Sequence, residues 1–443
     1  MVATIFALAT APGRSGVAVV RISGPAAVAT LATLTGKVPP APRRAVRATL
    51  RHPTTGDALD DALVLRFAAP ASFTGEDVVE LHLHGGRAVV AGVIEALAGL
   101  PGLRIAEPGE FTRRAFENGK LDLTEAEAVA DLVDAETTAQ RRQALRQMDG
   151  ALGRLYDGWR DRLTRALAHL EADIDFAEED LPGGLAAAVQ PVVERLRAEI
   201  AGHLDDGGRG ERLREGLHIA IVGAPNAGKS SLLNALARRD AAIVSARAGT
   251  TRDVIEVHLE LGGYPVVLAD TAGLREAAAD EVEEEGIRRA RDRARQADVK
   301  IAVFDASALP ALDAATEALV DADTVVVFNK SDLRDPPSQG VAGAIPLPVS
   351  ARTGRGLAAL EQRLTAFSAD RLAVGSAPTL TRARHRAALE ECRDALERAL
   401  SAPLPELAAE DIRLASRALG RITGRVDVED LLDIIFRDFC IGK

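Results

Sequence analysis

The sequence of 443 residues predicts a multidomain protein, α/β plus α, and three observations carry that reading. Up to about residue 118, short β-like runs alternate with helical stretches. Helical periodicity without strand signals fills about 121–204 and the chain after Pro378. Between these helical blocks, apolar strands alternate with helices and end in loops that carry glycine, asparagine and aspartate. The chain therefore divides into an N-terminal α+β domain over 1–118, a discontinuous helical domain over 119–212 and 372–443, and an inserted α/β domain over 213–371. The two helical blocks most simply pack together, which makes the middle domain an insertion.

Each element has its own signal. Ile5 to Ala9, Val17 to Ile22, Leu63 to Phe67 and Val78 to His84 read as strands, and Arg87 to Leu97 as a helix. On the strand Val78 to His84, alternation places Glu80, His82 and His84 on one face and Leu81 and Leu83 on the other. Leu181-Pro182-Gly183-Gly184 breaks the first helical block, and Asp205-Asp206-Gly207-Gly208-Arg209-Gly210 reads as a linker. Arg141, Arg142, Arg146, Arg154 and Arg160 form a candidate basic face, for which solvated helix surface is the commoner explanation.

Composition narrows the function classes. Apolar residues make up 47% of the chain, enough for ordinary cores. No apolar stretch approaches the ~20 residues of a membrane span, and the first ten residues lack a basic region and a cleavage site, so a cytoplasmic protein is expected. Two cysteines, Cys392 and Cys440, make neither a disulfide framework nor a zinc cluster, so a metal is expected on oxygen ligands. The net charge of −11 argues against a broad nucleic-acid-coating surface. Only six lysines occur, and 48 of the 54 basic residues are arginine. Lysines retained in such a chain are candidates for work that needs a compact ammonium, which draws attention to Lys120 and Lys443 beside Lys229 and Lys330.

The inserted domain carries the chemistry. Strand Leu217 to Val222 runs into Gly223-Ala224-Pro225-Asn226-Ala227-Gly228-Lys229-Ser230 and then a helical pattern from Ser231 to Arg238. This is the strand, glycine loop and helix of a P-loop: backbone N–H groups cradle phosphates, Lys229 reaches the β and γ oxygens, and Ser230 holds Mg²⁺. Strand Tyr264 to Ala269 ends in Asp270-Thr271-Ala272-Gly273, where the aspartate faces the metal's water shell and the glycine N–H faces the γ-phosphate. Strand Thr324 to Phe328 delivers Asn329-Lys330-Ser331-Asp332. A carboxylate at Asp332 accepts both N1–H and the 2-amino group of guanine, a donor pair that adenine lacks. Ser350-Ala351-Arg352, after Leu347 to Val349, completes the base pocket, and Thr250-Thr251-Arg252-Asp253 sits where a switch threonine joins the Mg²⁺ shell. Four ordered motifs specify a Ras-like P-loop GTPase domain. Where many small GTPases place a water-orienting glutamine after DxxG, this chain has Leu274, which cannot polarise water. The nearest carboxylates are Asp280-Glu281-Val282-Glu283-Glu284-Glu285, most of which suit a solvated helix start.

The whole layout resembles the MnmE (TrmE) family of tRNA modification GTPases. The resemblance rests on Pro12-Gly13-Arg14, Val20-Arg21-Ile22-Ser23-Gly24, Phe73-Thr74-Gly75-Glu76-Asp77 with His84-Gly85-Gly86, and Pro108-Gly109-Glu110-Phe111-Thr112 running into Lys120-Leu121-Asp122-Leu123. Gly249-Thr250-Thr251-Arg252-Asp253, Asp270 to Glu276 and the terminal Cys440-Ile441-Gly442-Lys443 complete it. It implies a GTP site at Asn226, Ala227, Gly228, Lys229, Ser230, Ser231, at Ser245, Ala246, Arg247, Ala248, Gly249, Thr250, Thr251, at Asp270, Thr271, Ala272, Gly273, and at Asn329, Lys330, Asp332, Ser350, Ala351 and Arg352. Mg²⁺ falls to Ser230 and Thr251, and K⁺ to Asn226, Ser245, Arg247 and Thr250. Ser245 and Arg247 depart from the threonine and aliphatic residue common in the family, changes that main-chain donation survives. Glu283 matches the family's water-orienting glutamate, by motif rather than spacing.

The resemblance further implies that the N-terminal domain binds a 5-formyl-tetrahydrofolate-like folate through Arg21, Glu80, Lys120 and Lys443, with His82 and His84 as pocket wall rather than metal ligands. It implies a homodimer through that domain, K⁺-dependent pairing of GTPase domains, a heterotetramer with the FAD-dependent MnmG (GidA), and tRNA as substrate, modified at C5 of the wobble uridine. Cys440 is open to positioning or direct chemistry, the latter needing an exposed, reactive thiol. Two other readings are an Era- or Der-like ribosome-assembly GTPase, disfavoured by the single set of GTPase motifs, and a folate-dependent aminomethyl carrier with a merely regulatory GTPase.

Overall fold

The computed structural model describes residues 3–175, 185–239, 256–270, 295–336, 340–373, 375, 377–426, 429–437 and 439–442. They belong to two compact units. One comprises Met1–Ala130, Gln147–Val189 and Ser401–Lys443, the other Asp131–Arg146 and Gln190–Leu400.

The first unit holds a six-stranded sheet. Its strands are β1 (Thr4–Leu8), β2 (Ala18–Ser23), β3 (Val46–Arg51), β4 (Ala58–Phe67), β5 (Val78–Leu83) and β6 (Leu103–Ile105), in the order β3-β4-β5-β2-β1-β6. All neighbours are antiparallel except β1 and β6. One face is apolar: Phe6, Val20, Ile22, Val79, Leu81 and Leu83 pack with Leu31 and Leu34 of the helix Ala27–Thr35 and with Val93 and Leu97 of Arg87–Ala98. Full burial of each such side chain stabilises by about 1.5–3 kcal/mol. The alternation expected on β5 holds, with Leu81 and Leu83 buried and Glu80 and His82 half-buried on the other face. The sequence reading lacks β3 and β6: β3 does carry a signal, Val46, Ala48 and Leu50 alternating with Arg47, Thr49 and Arg51 as suits an edge strand, whereas β6 is only three residues long.

In the same unit the helices Ala151–Asp175 and Pro405–Thr423 pack side by side, from segments far apart in the sequence. Tyr156, Leu163 and Leu170 are buried on the first, and Ile412, Leu419 and Ile422 on the second. Arg413 pairs with Glu171 at 2.6 Å and Arg425 with Asp157 at 2.6 Å along their flanks.

The second unit holds β7 (Leu217–Gly223), β8 (Glu256–Leu261), β9 (Tyr264–Asp270), β10 (Val299–Asp305), β11 (Thr324–Asn329) and β12 (Leu347–Pro348), in the order β12-β11-β10-β7-β9-β8. Only β8 runs antiparallel to its neighbour. Both faces are covered: Ile219, Ile221, Ile301 and Val303 enter one core and Ala220, Val222, Phe304 and Phe328 the other. Such strands read as continuous apolar runs. Parallel order places the C-terminal ends of β7, β10 and β11 at one edge, where ligands of such sheets bind.

One expectation needs correcting. The stretch 205–210 is not an open linker, since Arg209 starts the helix Arg209–Glu215 and a Cβ on Gly210 would sit 2.0 Å from the Leu380 carbonyl oxygen. Arg386 clamps the segment, donating to Asp206 Oδ1 at 2.7 Å, Glu211 Oε2 at 2.8 Å and the Leu204 carbonyl at 2.9 Å. Glycine here serves close packing as well as turning. Among the described residues no helix is long and apolar enough to cross a membrane.

The two thiols differ sharply. Cys392 is buried, and burial, aided by Glu391, pushes its thiol up to about 12, whereas Cys440 is exposed. A maleimide probe at pH 8 should label one thiol in native protein and two in denaturant. Mass spectrometry that places native label on Cys392 contradicts this packing.

Candidate functional site

The phosphate loop begins where glycine is compulsory. A Cβ on Gly223 would lie 2.4 Å from the Val303 carbonyl oxygen, so β7 can leave the sheet beside β10 only without a side chain. Asn226 (φ 62) and Gly228 (φ 91) then have positive φ, the kind of backbone turn from which anion-binding nests of N–H groups are built. Lys229 opens the helix Lys229–Arg239, and its Nζ donates to the carbonyls of Gly223 at 2.8 Å and Ala224 at 2.9 Å. Ala227 is buried, and Ser230 and Ser231 follow in the exposed first turn. A nest of N–H groups, a helix N-terminus and a retained ammonium suit a polyphosphate.

The base end is built around Asn329. Its Nδ2 donates to the Ala227 carbonyl at 2.9 Å, and its Oδ1 accepts from Ala351 N at 3.1 Å, so one amide joins the phosphate loop to the segment Ser350 to Arg352. Gly228 has to be glycine for the same reason, because a Cβ there would meet Asn329 Nδ2 at 2.2 Å. Asp332 Oδ1 accepts from Ser350 Oγ at 2.7 Å and Oδ2 from Arg352 Nη2 at 2.7 Å. The Ser350 hydrogen bond, with Arg352 beside it, holds the Asp332 carboxyl below the usual carboxylate range. At neutral pH it is an acceptor-only group, and each oxygen keeps a lone pair for a planar donor pair.

Other expected residues lie outside the described residues: Ser245, Ala246, Arg247, Ala248, Gly249, Thr250, Thr251, Thr271, Ala272, Gly273, Leu274, Glu283 and Lys443. Asp270 is described in its backbone, as the last residue of β9.

In the first unit, Arg21 and Glu80 stand directly opposite each other on β2 and β5, with Arg21 Nη2 3.0 Å from Glu80 Oε1. His82 Nε2 lies 3.4 Å from Glu80 Oε2, while His84 Nδ1 engages Asp60 at 2.7 Å, so the two histidines serve different carboxylates. The Arg21 guanidinium sits 5.7 Å from the ring centres of both Phe73 and Phe111. Lys120 Nζ donates to the Pro70 carbonyl at 3.0 Å, and its stem passes Gly75, so the segment 70–75 touches both Lys120 and Arg21. The C-terminal tail docks on this unit: Ile441 bridges Pro108, and a Cβ on Gly442 would lie 2.3 Å from the Leu8 carbonyl oxygen. Cys440 offers its carbonyl to Gly109 N at 3.4 Å, and its side chain is exposed.

A charge network lies beside this cluster. Arg114 donates to Glu76 Oε2 at 3.0 Å, Glu110 Oε1 at 2.9 Å and the Ala3 carbonyl at 2.9 Å, and Ser23 Oγ donates to Glu76 Oε2 at 2.7 Å. Burial works to raise the Glu110 carboxyl, but hydrogen bonds from Arg104, the Glu107 N–H and Arg114 prevail and hold it below its usual range.

Sequence reasoning missed Asp305 and the aromatic flanks Phe73 and Phe111. Asp305 had a legible signal, since it ends an apolar run as Asn329 does and stands opposite it in the ladder. Of the arginine face, Arg146 donates to the distant Gly375 carbonyl, while Arg154 donates to the Asp149 carbonyl and Arg160 lies 4.0 Å from Asp157, both local engagements.

Two family models match this chain, the MnmE helical domain over 123–440 and the GTP-binding protein TrmE N-terminus over 4–120. Among curated proteins, the tRNA modification GTPase MnmE of Parvibaculum lavamentivorans is 60% identical over 444 residues, covering 99% of this chain and all of the relative. That of Paramagnetospirillum magneticum is 60% identical over 441 residues, covering 99% of each. The protein of the same name from Caulobacter vibrioides is 55% identical over the full length of both chains. With the Gly223–Ser230 loop, the run Asn329 to Asp332 and the N-terminal motifs all carried on one chain that these matches span from end to end, the protein belongs to the MnmE family of tRNA modification GTPases.

Proposed function

We propose that this chain hydrolyses GTP and, with an FAD-dependent MnmG (GidA) partner, installs a carboxymethylaminomethyl or aminomethyl group at C5 of wobble uridine 34 in tRNA, drawing on a tetrahydrofolate one-carbon unit. The observation that carries the nucleotide part is the Asn329 amide, which couples the phosphate loop to the base loop beside an ionised Asp332. The inserted nucleotide domain 213–371 between helical segments 119–212 and 372–443 is supported by a single helical-domain match that runs through both segments.

Within this reading, Asn226 to Ser231 hold the phosphates, Lys229 exchanges its loop carbonyls for phosphate oxygens, and Asp332 selects guanine. Ser230 and Thr251 offer hydroxyl oxygens to Mg²⁺, an all-oxygen set that suits a hard cation. Asn226, Ser245, Arg247 and Thr250 would hold K⁺, which supplies the charge stabilisation that an arginine finger supplies elsewhere. The exposed, left-handed Asn226 at the loop's rim fits that role. With Leu274 unable to orient water, Glu283 takes that part.

The folate part rests on chemistry at Arg21 and Glu80. A half-buried carboxylate and guanidinium beside two aromatic rings match a pterin's donor–acceptor edge and flat face, and Lys120 and Lys443 suit the acidic tail. The working assembly is a cytoplasmic homodimer through the N-terminal domains, joined by MnmG into a heterotetramer that receives tRNA.

Three measurements test this reading. Nucleoside mass spectrometry of tRNA from a strain lacking the gene should find wobble uridine without its C5 group, and a normal C5 group sinks the proposal. Glu283→Ala should keep GTP binding and lose most turnover in K⁺ buffer; an unchanged kcat excludes that role. Calorimetry with 5-formyl-tetrahydrofolate should give binding that weakens at least about tenfold in Lys120→Ala, as expected for a lost charged contact worth about 1.5–3 kcal/mol. Equal affinity in the variant removes Lys120 from the site.

A further inference from the structure

β10 and β11 run parallel and end together, with Asp305 opposite Asn329 in their ladder. Asp305 therefore stands at the base end of the nucleotide site, although none of the GTPase motifs includes it. Its two carboxylate oxygens have separate partners. Oδ1 accepts from Ser307 N at 2.9 Å and Ser307 Oγ at 2.6 Å, which caps the short turn Ala306–Ala308. Oδ2 accepts from Lys330 Nζ at 2.6 Å. One end of the carboxylate is fixed by its own turn, and the other holds the lysine. Burial works to raise the Asp305 carboxyl, but the bonds from Lys330 and Ser307 prevail and hold it below the usual range, so it is ionised at neutral pH.

Lys330 is a side chain that gains from being held. Its backbone is left-handed, with φ 61, and its four-carbon stem has many rotamers, whose loss on binding costs affinity. Pinning the ammonium before the nucleotide arrives removes much of that cost. An ammonium already neutralised by Asp305 adds little attraction of its own, so what Lys330 presents to a planar base is its apolar stem.

We propose that Asp305 is a positioning residue of the nucleotide site, which preorganises Lys330 as a support for the guanine base and so sets guanine-nucleotide affinity without touching the nucleotide. This rests on the nucleotide reading above.

Equilibrium titration of the full-length protein with a fluorescent GDP analogue, alongside steady-state GTP hydrolysis, tests it. Asp305→Asn should bind GDP about three- to tenfold more weakly, with KM raised in proportion and kcat at saturating GTP within about twofold of wild type. Lys330→Met keeps the stem, removes the anchored ammonium and should give a similar loss, so the test survives an Asp305 variant that does not fold. Combining the two substitutions should cost no more than either alone, because both act through one contact. Ser307→Ala leaves the backbone cap and should keep wild-type affinity. Unchanged affinity in Asp305→Asn or Lys330→Met, additive losses in the double variant, or a Ser307→Ala loss as large as that of Asp305→Asn each overturn the proposal. Wild-type protein that does not bind GDP overturns the nucleotide reading itself, an outcome told apart because it precedes any substitution.

Discussion

A carbonyl of the phosphate loop and an N–H of the base loop both depend on one buried side-chain amide, that of Asn329, and the nucleotide end of the second sheet is arranged around it. Among short side chains only an amide offers a donor and an acceptor in one plane, so aspartate at this position would leave the Ala227 carbonyl without its partner. Each hydrogen bond contributes about 1 kcal/mol net, but losing the amide strands two backbone groups at about 1–3 kcal/mol each. The constraint spreads outward. Gly228 has no space for a Cβ because Asn329 occupies it, and Lys330, next in sequence, turns into a left-handed conformation that sends its ammonium to Asp305. Two steps further on, Asp332 is oriented by Ser350 and Arg352 from the loop that Asn329 anchors.

The first unit follows the same logic with charge in place of amide. Arg114 is only 6% exposed, and a buried guanidinium is tolerated because Glu76, Glu110 and the Ala3 carbonyl satisfy it. Such a network stabilises little relative to an apolar core of the same volume, yet removing one member leaves the others uncompensated. What it secures is geometry. Glu76 also takes the Ser23 hydroxyl, Ser23 pairs with Thr74 at 2.7 Å, and Asn118 donates to the Thr74 carbonyl at 2.7 Å. The loop before β5, the end of β2 and the helix Glu110–Glu117 are thereby fixed together, and from two of these parts Phe73 and Phe111 reach Arg21.

How much of this was legible depended on the range of the interaction. The P-loop, the run Asn329 to Asp332 and the apolar strands β7 and β11 announce themselves because a local backbone requirement or a continuous core dictates them within a few residues. The Arg21–Glu80 pair was named only through family resemblance; its cause, a cross-strand register between residues 59 apart, is set by the antiparallel pairing of β2 and β5 and has no local signature. β8 and β10 escape the sequence reading although both carry a signal: Glu256, His258 and Glu260 alternate with Val257, Leu259 and Leu261, and Val299–Asp305 is apolar but for Lys300 and the final aspartate. Lys300 survives burial in the sheet by pairing with Asp321, which also shows that retained lysines do not all mark ligand sites. Gly207, Gly208 and Gly210 misled because glycine signals freedom in sequence, whereas at Gly210 it permits contact with the Leu380 carbonyl.

The C-terminal tail shows the same ambiguity in a form that bears on function. Its cysteine draws the eye as a nucleophile, but the contacts that hold the tail run through backbone and glycine: the Ile441 bridge to Pro108, the Cys440 carbonyl at Gly109 N, and the approach of Gly442 to Leu8. Gly109 has the complementary need, since a Cβ there would meet the Phe436 carbonyl oxygen at 2.7 Å. Two glycines, each with positive φ, therefore allow the close approaches: Gly109 admits Phe436, and Gly442 lies against the first strand. Leu8 adjoins Ala7, which stands opposite Arg21 in the β1–β2 ladder, so the tail is anchored at the strand next to the one that carries Arg21. The thiol of Cys440 takes no part in that anchoring and stays exposed. Its position is thus a consequence of how the tail is held, and docking alone gives no reason for the residue to be cysteine; any such reason has to come from chemistry at the sulfur itself.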